Sequence, residues 1–355
     1  MLSIISKVTF PAINLLGSPN WSDYELLDSG KGQKLERFGE YIFIRPEVQA
    51  LWDKSMPPAR WEAAHASFQP SGEESGGHWA FKKKVAEKWE MGYALDLTPG
   101  PFAKHPRGAP KRRGGLRFYA MTTPGRHLGV FPEGAAHWDW ISALIHHRVH
   151  GERGEDKKDS ASSANSVGSM VNVLNLFGYT GLATLAAAAA GAKVTHVDAS
   201  RKAITWAREN QTLSGLEGRP IRWIVEDALK FVQRAARRGV KYDGILLDPP
   251  KFGRGPKGEV WEVYKSLPLL LQACRSVLSD RPLFAVLTVY AVKASALHLY
   301  YALDEMMRGF GGKLECGELV TQEKSAGRLL SQAVYARWEA EEHRDPRGLR
   351  RRPTE

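Results

Sequence analysis

Three carboxylates and one glycine-bearing turn carry the chemistry that can be read directly from this chain. The turn is Asn175-Leu-Phe-Gly-Tyr-Thr-Gly181, which ends an apolar run beginning at Met170. Gly178 and Gly181 let the backbone turn tightly and approach a ligand, and a helix expected next offers free N–H groups at its start. Asp198 ends the following apolar run, where its carboxylate can accept two hydrogen bonds from a ribose diol. Asp227 ends the run after that, placed to accept from an adenine amino group. Asp248 opens the stretch Asp248-Pro-Pro-Lys-Phe252. Its two prolines fix the loop backbone and donate no N–H. The Asp248 carboxylate and the Pro249 carbonyl then present acceptors to a donor such as a nucleobase amino group, and Phe252 offers that base a stacking face. Plainer roles compete: Asp198 as an acid at a helix N-terminus, Asp227 as an N-cap, Asp248 as part of a simple turn. Acids at successive strand ends fit a nucleoside-containing cofactor laid across a sheet.

The elements that must position these residues follow from periodicity. Strands are expected over Met170–Phe177, Lys193–Val197, Ile221–Val225, Tyr242–Leu247 and Leu283–Val289. Helices are expected over Leu182–Ala190, Lys202–Leu213, Ala228–Arg237, Val263–Leu278 and Lys293–Arg308, and Lys313–Leu319 and Leu329–Trp338 read as a closing pair of strands. Strand alternating with helix implies an α/β fold whose mainly parallel sheet is covered on both faces, with ligands beyond the C-terminal strand ends. Ahead of it, residues 21–126 read as a smaller, β-rich domain with strands near Tyr24–Asp28, Lys34–Phe38, Tyr41–Arg45, Trp79–Phe81, Trp89–Leu97 and Leu116–Thr122. Residues 1–20 read as a loosely held leader, 127–340 as the α/β domain and 341–355 as a basic tail. The Ser- and charge-rich stretch 151–169 reads as a disordered insertion.

The chain has 355 residues, 43% hydrophobic and 25% charged, with 50 Lys and Arg against 39 Asp and Glu, a formal net charge of +11. A basic balance favours a polyanionic partner. No Asp or Glu lies between Leu97 and Pro132, whereas Lys104, Arg107, Lys111, Arg112, Arg113 and Arg117 do, interleaved with Phe102, Phe118 and Tyr119. Cations neutralise phosphates and aromatics stack bases, so this interval is a candidate RNA- or DNA-contacting surface; a solvated hairpin tip is the plainer reading. Two cysteines build no disulfide framework, which points to a reducing compartment, and no apolar run approaches a membrane span. A cytoplasmic location is expected, or a mitochondrial one if the source is eukaryotic. The oligomeric state stays open, a homodimer included, and no metal site is expected.

The loop Asn175–Gly181, with Asp198, Asp227 and Asp248–Phe252, resembles class I S-adenosylmethionine-dependent methyltransferases. It is similar more narrowly to the bacterial 23S ribosomal RNA methyltransferase group that includes cytosine-C5 and guanine-N7 enzymes. The likeness covers about residues 127–338. It implies a Rossmann-like, seven-stranded, mainly parallel sheet with antiparallel closing strands, S-adenosyl-L-methionine as cofactor and RNA as substrate. It further implies that Phe177, Gly178, Tyr179, Thr180 and Gly181 line the methionine end, that Asp198 holds the ribose and that Asp227 lies by the adenine. Leu128–Glu133, with Phe131, is implied to fold over the pocket. Two departures stand beside it. Cytosine-C5 chemistry needs a thiolate to activate the ring, and the position after the fifth strand reads Thr288-Val-Tyr-Ala291; Cys274 and Cys316 read as core residues. An amino or ring nitrogen acceptor fits more easily. The front third, moreover, does not match the group's small RNA-binding domain. Other functions stay open on the sequence alone: a protein or small-molecule methyltransferase, a nicotinamide-dependent dehydrogenase, and a non-catalytic RNA-binding protein with a cofactor fold. The turn is not Gly-x-Gly-x-x-Gly, which weighs against the dehydrogenase.

Overall fold

A computed structural model describes residues 11–18, 21–71, 76–95, 115–150, 170–290 and 294–341. The front part contains β1 (Ile13–Leu16), β2 (Tyr24–Gly30), β3 (Gln33–Phe38), β4 (Tyr41–Pro46), α1 (Pro58–Glu62), β5 (Ala66–Pro70), β6 (Gly77–Phe81), β7 (Trp89–Tyr93) and β8 (Leu116–Ala120). There follow α2 (Ala135–His150), β9 (Asn172–Leu176), α3 (Leu182–Ala189), β10 (Lys193–Asp198), α4 (Arg201–Leu213), β11 (Ile221–Val225), α5 (Ala228–Arg237) and β12 (Gly244–Leu247). The chain then forms β13 (Phe252–Arg254), β14 (Val260–Glu262), α6 (Val263–Ser276), β15 (Phe284–Val289), α7 (Ala296–Met307), β16 (Gly312–Gln322) and β17 (Leu329–Ala340).

The main sheet runs β1-β16-β17-β15-β12-β9-β10-β11. Strands β15, β12, β9, β10 and β11 are parallel, and β17 is antiparallel to both β15 and β16. Every residue of β12 and β15 is buried, because α5, α6 and α7 cover one face and α2 and α3 the other. Burial on both faces removes any need for polar alternation, which is why these strands read as unbroken apolar runs. The chain steps from β9 outward through β10 and β11, then returns to the other side of β9 with β12. That reversal is a switch point, and the loops after β9 and β12 flank it.

Seven strands match the expected sheet. The eighth, β1, lies in the segment read as a leader and pairs in parallel with β16, Asn14 opposite Gly317. Gly317 makes this approach feasible: a Cβ there would lie 1.8 Å from the Asn14 carbonyl oxygen. Residues 13–16 are thus part of the sheet, a correction to the leader reading.

The front third forms a five-stranded sheet, β2-β3-β4-β5-β6, and a β7–β8 ribbon. Lys31 and Gly32, both at positive φ, close the two-residue β2–β3 hairpin, the turn chemistry foreseen at Ser29–Gly32. This part does not stand apart. Trp21, Phe43, Trp89 and Phe118 share one buried cluster with Leu128, Val130, Trp138 and Leu185. Trp138 meets Trp21 edge-on at 5.8 Å and Tyr93 at 5.5 Å. The sequence boundary between 126 and 127 therefore runs through a continuous core.

Candidate active site

The C-terminal ends of β9, β12 and β15 open into a cleft lined by Phe131, His137, Asn175, Tyr179, Asp248 and Tyr290 among others. The β9 loop forms its floor. Phe177, Tyr179 and Gly181 all have positive φ, at 58°, 49° and 84°. Two non-glycine residues held left-handed within three positions are sterically costly, and such strain persists where surrounding contacts enforce it. Those contacts are visible. Phe177 packs on Trp261 at 4.8 Å, and the Tyr179 N–H donates to Asp198 Oδ2 at 2.9 Å. Thr180 Oγ1 donates to the Gly129 carbonyl at 2.7 Å, and Asn210 Nδ2 to the Thr180 carbonyl at 2.9 Å. Gly178 lies directly on the buried His196 ring: a Cβ would stand 2.4 Å from Cε1. This is a backbone cradle that a side chain at residue 178 would disrupt.

Asp198 ends β10 as expected. Its other oxygen accepts from Ser200 N at 2.8 Å, and burial raises its carboxyl despite both bonds. Two backbone donors leave lone pairs over for a diol. Asp227 takes the plainer role as well: its Oδ1 accepts from Lys230 N at 2.9 Å and caps α5. Phe131 lines the cleft, 5.8 Å from Tyr179 and 5.1 Å from Tyr290.

Asp248 follows β12 directly. Its Oδ1 is shielded from solvent and has no hydrogen-bond partner among the described residues. Burial, with the charge of Glu133 adding to it, pushes this carboxyl up to about 8. Pro249 is buried, and the Pro250 carbonyl accepts from Trp261 Nε1 at 2.7 Å, so the β13–β14 hairpin braces the loop. Phe252 is not part of the cleft wall; it opens β13 and is 55% exposed. Tyr264 is also exposed, and Tyr290 is the tyrosine that walls the cleft.

Sequence reasoning missed His137 here and gave Glu133 only as the end of the segment folding over the pocket. Glu133, in the tight turn ahead of α2, is buried, and burial raises its carboxyl. His137 on α2 lines the cleft with neither ring nitrogen partnered among the described residues, and burial drives it down to about 3. The acid-free run before Pro132, which Glu133 breaks, was the only local signal.

Of the basic interval, Lys104, Arg107, Lys111, Arg112 and Arg113 lie outside the described residues, as does the insertion 151–169. Arg117 lies on β8, where its guanidinium pairs with Glu90 and its N–H donates to Ser214 Oγ. Cys274 and Cys316 are buried free thiols, and burial pushes both upward, so neither is poised as a nucleophile. Among the described residues no group of three His, Cys, Asp or Glu side chains could hold a metal ion, and no helix is long and apolar enough to cross a membrane.

A strained turn with free N–H groups, an aromatic wall, acids after β10 and β11 and an unpartnered carboxyl after β12 suit a nucleoside joined to an amino acid. Known proteins point the same way. A family model described as "Conserved hypothetical protein 95" matches residues 161–261. Ribosomal RNA large subunit methyltransferase I of Aeromonas salmonicida is 38% identical over 86 residues, 24% of this chain and 19% of that protein. Ribosomal RNA large subunit methyltransferase K/L of Aeromonas hydrophila is 38% identical over 89 residues, 25% of this chain and 12% of that protein. The chain thus matches about a fifth or less of these curated relatives. The crystal structure of an S-adenosylmethionine-dependent methyltransferase from Agrobacterium tumefaciens is similar over 93% of this chain and 96% of that one, with 44% identity and a TM-score of 0.77. On that near-complete match, the chain belongs to the S-adenosylmethionine-dependent methyltransferases.

Proposed function

We propose that the chain methylates a base in RNA, with ribosomal RNA as the substrate. The observation that carries this reading is the carboxyl of Asp248, unpartnered at Oδ1 and facing the cleft from a loop fixed by two prolines. An amino-bearing base supplies the donor that this acceptor lacks. S-adenosylmethionine, when bound, supplies a methyl group already activated on a sulfonium, so the protein's task is positioning and exclusion of water.

The division of labour follows the strand ends. Phe177, Gly178, Tyr179, Thr180 and Gly181 hold the methionine end under Phe131, Asp198 takes the ribose, and Asp227 lies by the adenine. Asp248 and the Pro249 carbonyl orient the acceptor. Phe252, exposed at the start of β13, is free to meet an incoming base face to face. Lys104, Arg107, Lys111, Arg112 and Arg113 supply phosphate contacts; Arg117 contributes less, since Glu90 neutralises it. The partial match to ribosomal RNA methyltransferases supports the substrate class. Buried Cys274 and Cys316 favour a nitrogen acceptor over cytosine C5.

Radiolabelled methyl transfer tests this reading, with RNA and protein fractions offered side by side. Transfer to RNA that is lost in Asp248→Ala with S-adenosylhomocysteine affinity kept supports it. Transfer to protein alone, or full transfer by Asp248→Ala, refutes it. Lower affinity and a shallower salt dependence of RNA binding after neutralising the 104–113 cations would assign the binding surface.

A further inference from the structure

The β13–β14 hairpin directly follows the Asp248 loop, and the fold uses only one of its faces. The register sets Gly253 opposite Trp261, Arg254 opposite Val260 and Phe252 opposite Glu262. Side chains alternate across a strand, so Trp261 points to one face and Phe252, Arg254 and Val260 to the other. Trp261 is buried, packs on Phe177 of the cofactor turn at 4.8 Å and donates through Nε1 to the Pro250 carbonyl at 2.7 Å. The other face carries Phe252 and Val260, 55% and 54% exposed, with the exposed Arg254 beside both. Nearby acids are already occupied: Glu259 pairs with Lys230 on α5 and Glu262 with Lys265, each at 2.7 Å. Among the described residues, neither the Arg254 guanidinium nor the Lys257 ammonium has an acid partner. The tip is fixed as well. Glu259 Oε2 accepts from the Lys257 N–H at 2.9 Å, Gly255 N donates to the Glu259 carbonyl at 2.8 Å, and Gly258 turns at φ 85°. Single exposed apolar side chains are ordinary on a protein surface. Here a ring, an apolar neighbour and two cations without acids share a ribbon braced against the cofactor turn and α5.

We infer that the outward face of this hairpin is an RNA-contacting surface that holds the single-stranded nucleotides next to the acceptor base. This rests on the RNA-base reading above. Phe252 does not line the cleft, so a base on its ring is a neighbour of the reacting one. An exposed phenyl ring offers a stacking face to any base, and cations beside it neutralise the phosphates that join one base to the next. Arg254, on the same face of β13, and Lys257, at the tip, supply that charge. The strand is single because a duplex keeps its bases stacked on one another and away from the ring. A protein is the competing occupant of an apolar face. Charge favours RNA: the two cations lack acids on their own chain, and the whole chain carries a formal +11. Trp261 touches both the cofactor turn and the Asp248 loop, so a strand held on this ribbon is registered against the cleft by a surface already in place. The 104–113 cations then add phosphate contacts, while the hairpin sets where the strand lies.

Fluorescence anisotropy of the full chain, saturated with S-adenosylhomocysteine, tests this with two probes: a mixed-sequence single-stranded oligoribonucleotide, and that strand annealed to its complement. Phe252→Leu keeps an apolar side chain and loses the stacking face. It should weaken single-strand binding about tenfold, within the range set by losing one stacked base, whereas Phe252→Trp should keep the affinity. The duplex should respond less. Arg254→Gln combined with Lys257→Gln should make the plot of log affinity against log salt shallower by about 1.4, since each single-strand phosphate contact contributes about 0.7. Tyr301→Ala removes a similarly exposed ring from α7 and should leave binding unchanged. S-adenosylhomocysteine affinity should hold throughout and shows that each variant folds; the ring and charge variants are independent, so either decides if the other does not fold. Wild-type single-strand affinity in Phe252→Leu, an unchanged salt slope in the charge variant, or an equal loss in Tyr301→Ala overturns the inference. If wild-type protein methylates RNA and the hairpin variants bind and methylate it equally well, the hairpin surface alone is refuted. If wild-type protein binds no RNA and methylates protein, the RNA reading falls and this surface with it.

Discussion

Gly178→Ala should damage the cofactor loop from beneath. The new Cβ would lie 2.4 Å from His196 Cε1, 2.5 Å from Nδ1 and 3.0 Å from Asn175 Nδ2. Ordinary carbon contacts start near about 3.5 Å, so something must move by about 1 Å. The imidazole is fully buried, tied to Thr184 Oγ1 at 2.9 Å and packed on Trp223 at 4.7 Å. If the ring gives way, overpacking costs about 1–3 kcal/mol of stability. If the loop lifts instead, it carries Tyr179 off Asp198, and displacement by about 1 Å at such a site costs up to about a hundredfold. Urea unfolding reads the first cost and calorimetry with S-adenosylhomocysteine the second, each tenfold in affinity counting as about 1.4 kcal/mol. The two together should reach at least about 1 kcal/mol. His196→Ala opens room for the methyl, so the double variant should lose less than the sum of the singles, with a coupling of order 1 kcal/mol. A Gly178→Ala protein with wild-type stability and affinity, or strictly additive losses, would refute the steric argument.

Other perturbations follow from the same contacts. Burial holds His137 and His196 near 3 against an ordinary 6.5, so the unfolded chain binds protons that the native one refuses. Stability should therefore fall as pH drops from 6.5 toward 3, by up to about 1.4 kcal/mol per pH unit for each ring, and His137→Gln should flatten the melting-temperature profile there. Arg45→Ala strands Glu36, which Arg45 and Lys34 hold down to about 2 against the pull of burial; a loss of about 3–5 kcal/mol should register in denaturant midpoints. Asp227→Ala should cost about 1 kcal/mol through the lost α5 cap and weaken S-adenosylhomocysteine binding, whereas Asp227→Ser should restore stability without restoring affinity. Equal affinity in all three forms of residue 227 would remove it from the cofactor site.

How much was legible in the sequence depended on where each residue's environment comes from. β12 and β15 announce themselves because burial on both faces demands continuous apolar runs, and the acids Asp198, Asp227 and Asp248 mark where β10, β11 and β12 stop. Strand β1 carries no such mark: it is four residues long with Ile13 and Leu15 exposed, and its partner lies some three hundred residues away. The β13–β14 hairpin is equally short, and only its contact with Pro250 shows that it braces the Asp248 loop. Phe252 was readable as an aromatic beside Asp248, yet its exposure was not, since the hairpin turns it outward. His137 gains its meaning from the cleft it shares with Tyr290 and Asp248, which approach it only in three dimensions. The shared core around Trp21 and Trp138 likewise arises from a contact between segments that composition alone separates.

The central claim is that this cleft methylates an RNA base through Asp248. Mass-spectrometric nucleoside analysis of ribosomal RNA tests it most directly, in cells carrying the gene, lacking it, and lacking it but supplied with Asp248→Ala protein. The account predicts one methylated, amino-bearing nucleoside present in the first and missing from the other two. An unchanged nucleoside profile across all three, or full restoration by Asp248→Ala, would contradict it.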